Sequence, residues 1–466
     1  MKQLILHPLV FSLILLVALV YFVVLFQIIS HNTTWQKKVE KIFIVSSILI
    51  IGGMKLRFSG RFHPQGLYKP DISLSYRVMC LSFYVPFILL IFSRLCYTLK
   101  DYIYVLSILI KNSSFFAGFI LWRFIAAILS ETPSYTLKAT IVLMLITLYF
   151  VYVGKQYTMK ELLILLTWHN GIVMLLSLFH GTDGNWNGIY LSKNLFGFMM
   201  AITAILFYLQ SVRVPKYRLL FLSLSALAVF CLQQANSGMA KVLLIVLISL
   251  LVFLRFIKRL PPRVAFASMG GFIAIGISLV IFITENAEYI IVEKLGKDMT
   301  LTGRTYIWRE VIKAINKHPL FGYGYEGFWQ FWRGLDNPAL MLRLPEFHGF
   351  IPQHSHSGYF EIALQVGWVG LTLFIVSLLT GIYYGVLYLT RNQTPEAVLP
   401  LLLLTWIVIG SVTEAYIKDM GIYWIVYVLM MTRLSLDTVE NSMENRQIQK
   451  QETQDSTWQL NQSQAR

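Results

Sequence analysis

Long apolar runs separated by short polar breaks fill most of the chain. Many of these runs approach the ~20 residues that a helix needs to cross a bilayer. They predict membrane spans at residues 4–30, 41–54, 78–97, 102–130, 137–153, 161–180, 195–211, 217–234, 241–257, 264–284, 358–389, 397–411 and 420–436. The count is open by one, because residues 41–54 are short for a span and residues 102–130 are long and interrupted by Lys111 and Asn112. We therefore predict an all-α polytopic membrane protein with about 12 transmembrane helices.

The form of these runs argues against two other kinds of structure. Strands of a membrane barrel alternate polar and apolar positions over ~10 residues, whereas these runs are continuous blocks of Leu, Ile, Val and Phe. The first run has no small-residue cleavage site, so we predict a retained helix and not a signal peptide.

Basic residues in the short breaks predict the topology. The break that contains Arg255, Lys258, Arg259 and Arg263 has no acidic residue, which is typical of a cytoplasmic loop. Alternation from there places the long loop, residues 285–357, outside the cytoplasm. The chain then divides into N-terminal transmembrane helices (1–284), a large extracytoplasmic or periplasmic loop (285–357), C-terminal transmembrane helices (358–436) and a polar tail (437–466), which we predict to be disordered and cytoplasmic. Upstream of residue 130 the charges leave the orientation open.

Composition agrees with a membrane protein, since 56% of the residues are hydrophobic and 13% are charged. A net charge of +16 would suggest a nucleic-acid partner in a soluble protein. Here most Lys and Arg residues lie in the loops, where they set topology and contact anionic lipid. We therefore expect membrane lipid, and no nucleic acid, as a partner. Cys80, Cys96 and Cys231 lie singly in apolar segments, which predicts neither a disulfide nor a zinc site.

The long loop contains an amphipathic pattern in the stretch LTGRTYIWREVIKAINKHP. Ile307, Val311 and Ile315 recur at helical spacing, and Pro319 ends the pattern. Arg304 then lies in the first turn of a short helix, where a guanidinium and a helix N-terminus can together grip a pyrophosphate. A solvated arginine that contacts lipid headgroups is the alternative interpretation.

An aromatic stretch with interleaved glycines, FGYGYEGFWQFW, follows this helix. Its glycines are Gly322, Gly324 and Gly327, and its aromatic residues are Tyr323, Tyr325, Phe328, Trp329, Phe331 and Trp332. The glycines let the backbone turn, and the flat side chains would form either a sugar-stacking surface or an interfacial belt.

The stretch QHSHSGYFEIALQVGWVG places two histidines at the start of a long apolar run. His356 would lie at or just before the first turn of a membrane helix, capped by Ser355 or Ser357. The positive end of that helix opposes protonation, which would leave a neutral imidazole able to act as a general base. From the pattern alone, a metal ligand and an inert interfacial residue are the alternatives.

Two neighbours of the histidines bear on these roles. A metal site is not predicted, because the histidines have no Asp or Cys partners nearby and Glu361 alone does not complete a ligand set. Gly367 and Gly370, three residues apart on the predicted helix, would allow close packing and fix the position of that helix.

Three groups of residues resemble motifs of the bacterial O-antigen ligase and polymerase family, which includes the polymerases of exopolysaccharide synthesis. The family's His, then Asn, Ser or Gln, then nine residues and Gly-x-x-Gly looks the same as His356, Ser357, Gly367 and Gly370. Its Gly-Arg-x-x-x-Trp and Pro-x-x-Gly-Tyr-Gly elements are similar to Gly303, Arg304, Trp308, Pro319, Gly322, Tyr323 and Gly324. Its Lys-Asn-x-x-Gly element is similar to Lys193, Asn194 and Gly197. The likeness covers roughly residues 130–436.

This resemblance implies a metal-independent glycosyltransferase without a cofactor in the bacterial inner membrane. Such an enzyme transfers a polyprenyl-pyrophosphate-linked glycan onto a sugar hydroxyl of a growing glycan or of a lipid core. His356 would be the catalytic histidine, and Arg304 an arginine that contacts phosphate. The remaining expected substrate contacts are Lys193, Lys241, His354, Tyr323 and Trp308, with Lys241 displaced from the family's usual place after Ser-x-Ser.

Rival functions remain beside this one. We favour a polymerase, because the glycine and aromatic spacing looks closest to the exopolysaccharide branch; a ligase shares the donor chemistry and differs in its acceptor. A transporter of the glycan or its carrier would need paired ionisable groups near the bilayer midplane, and Arg123 and His169 are the candidates for that role. A structural scaffold for a synthesis complex is the third interpretation.

Overall fold

Helices provide the regular secondary structure in the part of the chain that the computed structural model describes. That part is residues 33–53, 95–179, 186–190, 192–285, 304–343, 351–352, 354–418 and 420–440. Its α-helices are α1 (Thr33–Gly53), α2 (Leu95–Asn112), α3 (Ser114–Ile128), α4 (Pro133–Gln156), α5 (Met159–Leu178), α6 (Lys193–Arg213), α7 (Arg218–Gln234), α8 (Gly238–Ile257), α9 (Pro262–Glu285), α10 (Arg304–Lys317), α11 (Gly358–Arg391), α12 (Leu399–Thr413) and α13 (Ile422–Glu440). Short 3₁₀ helices lie at Pro215–Tyr217, Phe331–Asp336, Pro338–Leu342, Pro395–Val398 and Tyr416–Lys418. The predicted all-α class is confirmed.

Eight helices among the described residues are long and apolar enough to cross a membrane, or nine if the bent pair α2–α3 is one span. The eight are α4 to α8 and α11 to α13. The predicted span at residues 4–30 and most of that at 78–97 lie outside the described residues, so the total of about 12 remains a prediction. Helix α13 continues to Glu440, beyond the predicted end of the last span at residue 436, and the tail from residue 441 lies outside the described part.

The predicted span at residues 102–130 is sharply bent, because α2 and α3 meet at an angle of 106°. Ser113 separates them, and its hydroxyl bonds to Ser435 Oγ at 2.6 Å. The carbonyl of Asn112 accepts a hydrogen bond from the Tyr384 hydroxyl at 2.7 Å. Partners on α11 and α13 therefore satisfy the polar groups that the bend takes out of the helix.

Helix α11 is also interrupted, at Gly367, where φ is 69° and ψ is −176°. Gly367 therefore allows close packing, as predicted, but at a break and not within a continuous helix. A Cβ there would lie 2.3 Å from the carbonyl oxygen of Leu320, because the long loop between α9 and α11 approaches the backbone at this point. The N–H of Trp368 donates to Pro319 O at 2.8 Å, and the N–H of Tyr323 donates to Leu364 O at 2.8 Å. Loop backbone thus replaces the helical hydrogen bonds lost at the break.

The helices enclose a core in which α6, α12 and α13 are the most buried, while α7 is largely exposed on the outside of the bundle. Helix α11 packs against α3, α10 and α12, and α6 packs against α5, α7 and α8. At one end of the bundle, Gln393 after α11 and Lys258 after α8 exchange hydrogen bonds at 3.1 Å. The N-termini of α6, α8 and α11 lie at the other end, where the candidate site forms.

Candidate functional site

Two side chains on one face of α10 point toward the start of α11. Arg304 and Trp308 are one helical turn apart, so they project from the same side of the helix. The Trp308 indole N–H donates to the carbonyl oxygen of Ser355 at 2.9 Å, and its ring packs against Phe360. The short helix therefore holds the histidine-containing turn from the side of the long loop.

The carboxylate of Glu414 joins three helices at this end of the bundle. Its Oε1 accepts hydrogen bonds from Asn194 Nδ2 at 2.7 Å and from Arg304 Nη2 at 3.3 Å. Asn194 in turn accepts a hydrogen bond from Ser237 Oγ at 3.0 Å. The resulting chain of contacts connects the first turns of α6, α8 and α10 with the end of α12.

The two predicted lysine contacts lie beside this network. Lys193 is the first residue of α6, directly before Asn194, and Lys241 lies in the first turn of α8. Both side chains are half-buried. The two helices approach closely here, since a Cβ on Gly197 would lie 2.8 Å from the Cβ of Ala240. The Lys-Asn-x-x-Gly element thus places a lysine and a network amide at a tight helix contact.

The histidines occupy a turn that precedes α11. His356 has a positive φ of 55°, which is uncommon for a residue with a side chain. Its backbone N–H donates to His354 Nδ1 at 3.2 Å, and the two imidazole rings lie 4.0 Å apart between centroids. Ser357 occupies the N-cap position, but its side chain makes no cap hydrogen bond, and Ser355 Oγ bonds to Ser357 O instead. The predicted serine cap is therefore wrong.

Glu361, in the first turn of α11, lies directly behind the turn and is fully buried. Oε1 of this carboxylate accepts the backbone N–H of Ser355 at 2.6 Å, and Oε2 accepts the Trp329 indole N–H at 2.9 Å. Lys418, from the 3₁₀ helix after α12, places its Nζ 4.0 Å from Oε2. The buried carboxylate of Glu361 and the ammonium group of Lys418 therefore lie next to the turn that contains the histidines.

The electrostatics of the site keep the imidazole of His356 uncharged. Burial, followed by the positive charges of Arg304 and Lys418, lowers the pKa of His356 to about 4. This agrees with the neutral imidazole predicted from the sequence, although the principal cause is burial and not the helix terminus. Burial raises the pKa of Glu414 above its usual value, while Asn194 and Arg304 act in the opposite direction. Within the described residues, no group of three or more His, Cys, Asp or Glu residues could hold a metal ion.

Part of the glycine-rich aromatic stretch folds inward, where the sequence predicted a sugar-stacking or interfacial surface, although Trp332 at its end is exposed. Tyr323, Tyr325 and Phe328 are almost completely buried. The Tyr323 hydroxyl donates to the carbonyl oxygen of Ala314 at 3.0 Å, so it is committed to holding α10. The reason is that Gly322 and other glycines with positive φ bring the loop down onto the break in α11. Tyr323 thus supports the site from behind, away from Arg304 and the histidines.

The structure brings Arg304, Trp308, His354 and His356 together, as the motifs predicted. It adds Asn194, Glu361, Glu414 and Lys418, to which the sequence interpretation gave no role in the site. Asn194 was present in the Lys-Asn-x-x-Gly element, and Glu414 and Lys418 are charged residues in a short break between apolar helices. Those features are the signals that could have identified them.

Membrane-spanning helices with a polar cluster at one end of the bundle define a multi-pass membrane protein with a site at its surface. Residues 220–375 match the model of a family described as O-antigen ligase. The chain is also 31% identical, over 250 residues, to the exopolysaccharide production protein ExoQ of Rhizobium meliloti (strain 1021). That region covers 48% of this chain and 54% of the relative, so the chain spans about half the length of the curated relative it matches.

These matches confirm the resemblance to the O-antigen ligase and polymerase family. The matched range contains Lys241, Arg304, Trp308 and both histidines of the turn. Asn194, Glu414 and Lys418 lie outside that range, and the fold alone brings them to the same place.

Proposed function

We propose that the chain is a membrane glycosyltransferase that moves a glycan from a polyprenyl-pyrophosphate carrier to a sugar hydroxyl. The observation that carries the proposal is the polar cluster at one end of the bundle, in which Glu414 holds Arg304 at 3.3 Å and Lys418 lies beside the histidine turn. The lowered pKa of His356 agrees with it. A neutral imidazole can accept a proton, and preorganised cations can stabilise a departing pyrophosphate. We place this reaction at the outer face of the bacterial inner membrane.

In the proposed step, the oxygen of the acceptor hydroxyl attacks the anomeric carbon of the donor glycan. As this carbon–oxygen bond forms, the bond from the anomeric carbon to the pyrophosphate oxygen breaks. The electron pair leaves with the polyprenyl pyrophosphate, and the hydroxyl proton passes to His356 and then to water. These residues supply the base and the cations, so the proposed mechanism includes no metal or other cofactor.

Some of the proposed contacts bind the pyrophosphate leaving group, and the others lie on the side of the acceptor sugar. Arg304, already oriented by Glu414, and Lys418 would bind the pyrophosphate. Lys193 and Lys241 would attract the same anion from the neighbouring helix ends. His354 would line the acceptor side next to His356, because the two rings are in contact. Trp308 would present the free face of its ring to a sugar while its N–H holds the turn.

A polymerase, in which the acceptor is a growing glycan, is our first candidate. The observation that favours it is the match to a relative named for exopolysaccharide production. The second candidate is a ligase, supported by the family description, in which a lipid core is the acceptor. Supplying each acceptor separately with one donor, and identifying the product by mass spectrometry, distinguishes the two.

The test uses purified protein in proteoliposomes with a polyprenyl-pyrophosphate-linked oligosaccharide. His356→Ala should lower transfer at least about 100-fold, as expected for loss of a general base. Arg304→Ala should lower it by at least about tenfold, because a cation at the leaving group is lost.

Two substitutions on the same helix and loop serve as matched controls. His318→Ala and Arg309→Ala change a histidine and an arginine whose described ion pairs are with Glu131 and Glu310, away from the turn. Each should retain transfer within about twofold of wild type, because exposed ion pairs contribute little. Full transfer by correctly inserted His356→Ala protein would refute the proposed function.

A further inference from the structure

The ring nitrogen Nδ1 of His356 is buried and has no hydrogen-bond partner among the described residues. A general-base histidine is often held by a carboxylate on its second ring nitrogen. Here the positive φ of His356 must be maintained by contacts to the turn, because a strained backbone conformation persists only when its surroundings enforce it.

Glu361 of α11 contacts both the turn that contains His356 and the aromatic stretch of the loop. One carboxylate oxygen holds the Ser355 N–H, and the other holds the indole N–H of Trp329 from the long loop. Both contacts therefore come from this one buried side chain. Lys418 lies beside the same carboxylate.

We propose that Glu361 is a positioning residue, which aligns His356 for proton transfer by clamping the preceding peptide between α11 and Trp329. This inference rests on the proposed function for its catalytic consequence, whereas the clamp itself is a property of the turn. The role requires two acceptor oxygens. Glutamine offers one acceptor and one donor, so Glu361→Gln leaves either the Ser355 N–H or the Trp329 N–H without a partner.

The turnover test compares two substitutions at the clamp with one outside it. Glu361→Gln should lower kcat at least about tenfold with KM within about twofold, because the substrate contacts remain and the base is misaligned. Trp329→Phe removes one hydrogen bond to the carboxylate and should lower kcat about threefold. The matched control is Trp122→Phe, since the Trp122 indole N–H binds Val366 O at 3.0 Å and touches α11 away from the turn.

A double variant of the two clamp residues shows whether their loss lowers kcat through misalignment of His356 or through a general loss of packing. The double variant Glu361→Gln/Trp329→Phe should have a kcat no lower than about half that of Glu361→Gln, because both changes break the same unit. Trp122→Phe should keep kcat within about twofold of wild type. Unchanged kcat in Glu361→Gln, or an equal decrease in Trp122→Phe and Trp329→Phe, overturns the inference. If Glu361→Gln fails to insert, the Trp329 and Trp122 pair decides the question.

Carbethoxylation of His356 by diethyl pyrocarbonate, located by mass spectrometry, tests the clamp without turnover. The rate of His356 carbethoxylation at pH 7 should change at least about threefold in Trp329→Phe and stay at the wild-type value in Trp122→Phe. Only Trp329→Phe removes a hydrogen bond of the carboxylate that holds the turn. If wild-type protein transfers no glycan yet these rates differ as expected, the proposed function fails and the clamp stands. If transfer is normal and the rates are equal in all variants, the clamp fails alone.

Discussion

Arg304 and Glu414 form an ion pair, with 3.3 Å between Nη2 and Oε1, although they lie 110 positions apart in the chain. The pair connects α10 to the break between α12 and α13. Asn194 donates to the same carboxylate oxygen, which adds α6 to the connection. The guanidinium is thereby held in place before any substrate arrives, which reduces the entropy lost on binding.

Removing the Glu414 carboxylate should disturb both the site and the fold. The side chain is 6% exposed, so Glu414→Ala leaves Arg304 and Asn194 without a buried acceptor. We expect a lower thermal midpoint and a KM for the donor raised at least about fivefold. The double variant Arg304→Ala/Glu414→Ala should unfold no earlier than the less stable single variant, as measured by scanning fluorimetry. Lys313→Ala, which breaks the exposed pair with Glu310, is the control and should change neither quantity.

The acid side of the pH profile should reflect the low pKa of His356. Because the neutral form is the base and its pKa is about 4, kcat/KM should stay level on lowering the pH from 8 to about 5 and decrease below that. Arg304→Gln and Lys418→Met each remove a positive charge that lowers this pKa. Both should raise the pKa and move the acid limb to higher pH. A wild-type limb at the ordinary histidine value of about 6.5 would contradict the prediction.

Gly367 should tolerate no side chain. An alanine there would require φ near 69° and would place its Cβ 2.3 Å from Leu320 O, so the loop or the helix must move. We expect Gly367→Ala to reduce the yield of folded protein and abolish transfer, as judged by size-exclusion chromatography and activity. Gly118→Ala on the packed neighbour α3 is the control, because its Cβ would meet Leu373 at an ordinary 3.8 Å. Equal yields from both variants would show that the break can absorb a methyl group.

Trp308 and Tyr323 should respond differently to loss of their polar atoms. Trp308→Phe removes the hydrogen bond to Ser355 O beside His356, so kcat should decrease about threefold or more. Tyr323→Phe removes a bond to Ala314 O behind the site, which should cost about 1 kcal/mol of stability and leave the KM for the donor within about twofold. A larger rise in KM for Tyr323→Phe would restore the original prediction of a substrate contact.

Labelling from the two sides of the membrane tests the predicted topology. Arg309 is an exposed residue of α10, and Arg391 ends α11 beside the loop that pairs with Lys258. In a variant with Cys80, Cys96 and Cys231 replaced by Ser, Arg309→Cys should react with an impermeant maleimide in intact cells. Arg391→Cys should react only after permeabilisation. The reverse result would place the site in the cytoplasm and exclude a reaction at the outer face.

The continuous spans were predictable because the bilayer imposes a length and a composition on each helix. The prediction of 195–211 corresponds to α6 at Lys193–Arg213, and that of 241–257 to α8 at Gly238–Ile257. The bends at Ser113 and Gly367 were not predictable in the same way. Each depends on backbone and hydroxyl partners far away in the sequence, such as Ser435 for Ser113.

The residues of the site also differ in whether local sequence or tertiary contacts determine their place in it. Arg304, Trp308, His354 and His356 follow from local motifs, since each pair lies within one turn of chain. Glu414 becomes part of the site only through tertiary contacts. The buried position of Tyr323 was missed for the same reason, because aromatic and glycine residues give equal support to an exposed stacking surface and to a packed loop.

The interruption of α11 at Gly367 separates the segment that bears Glu361 from the part of the helix that crosses the lipid. In an unbroken helix, a change of tilt caused by a thicker or thinner bilayer would also move the end of the helix that bears Glu361. Here the loop holds the chain on both sides of the break, because the N–H of Tyr323 donates to Leu364 O before it and the N–H of Trp368 donates to Pro319 O after it. We expect the geometry around His356 to be insensitive to acyl-chain length.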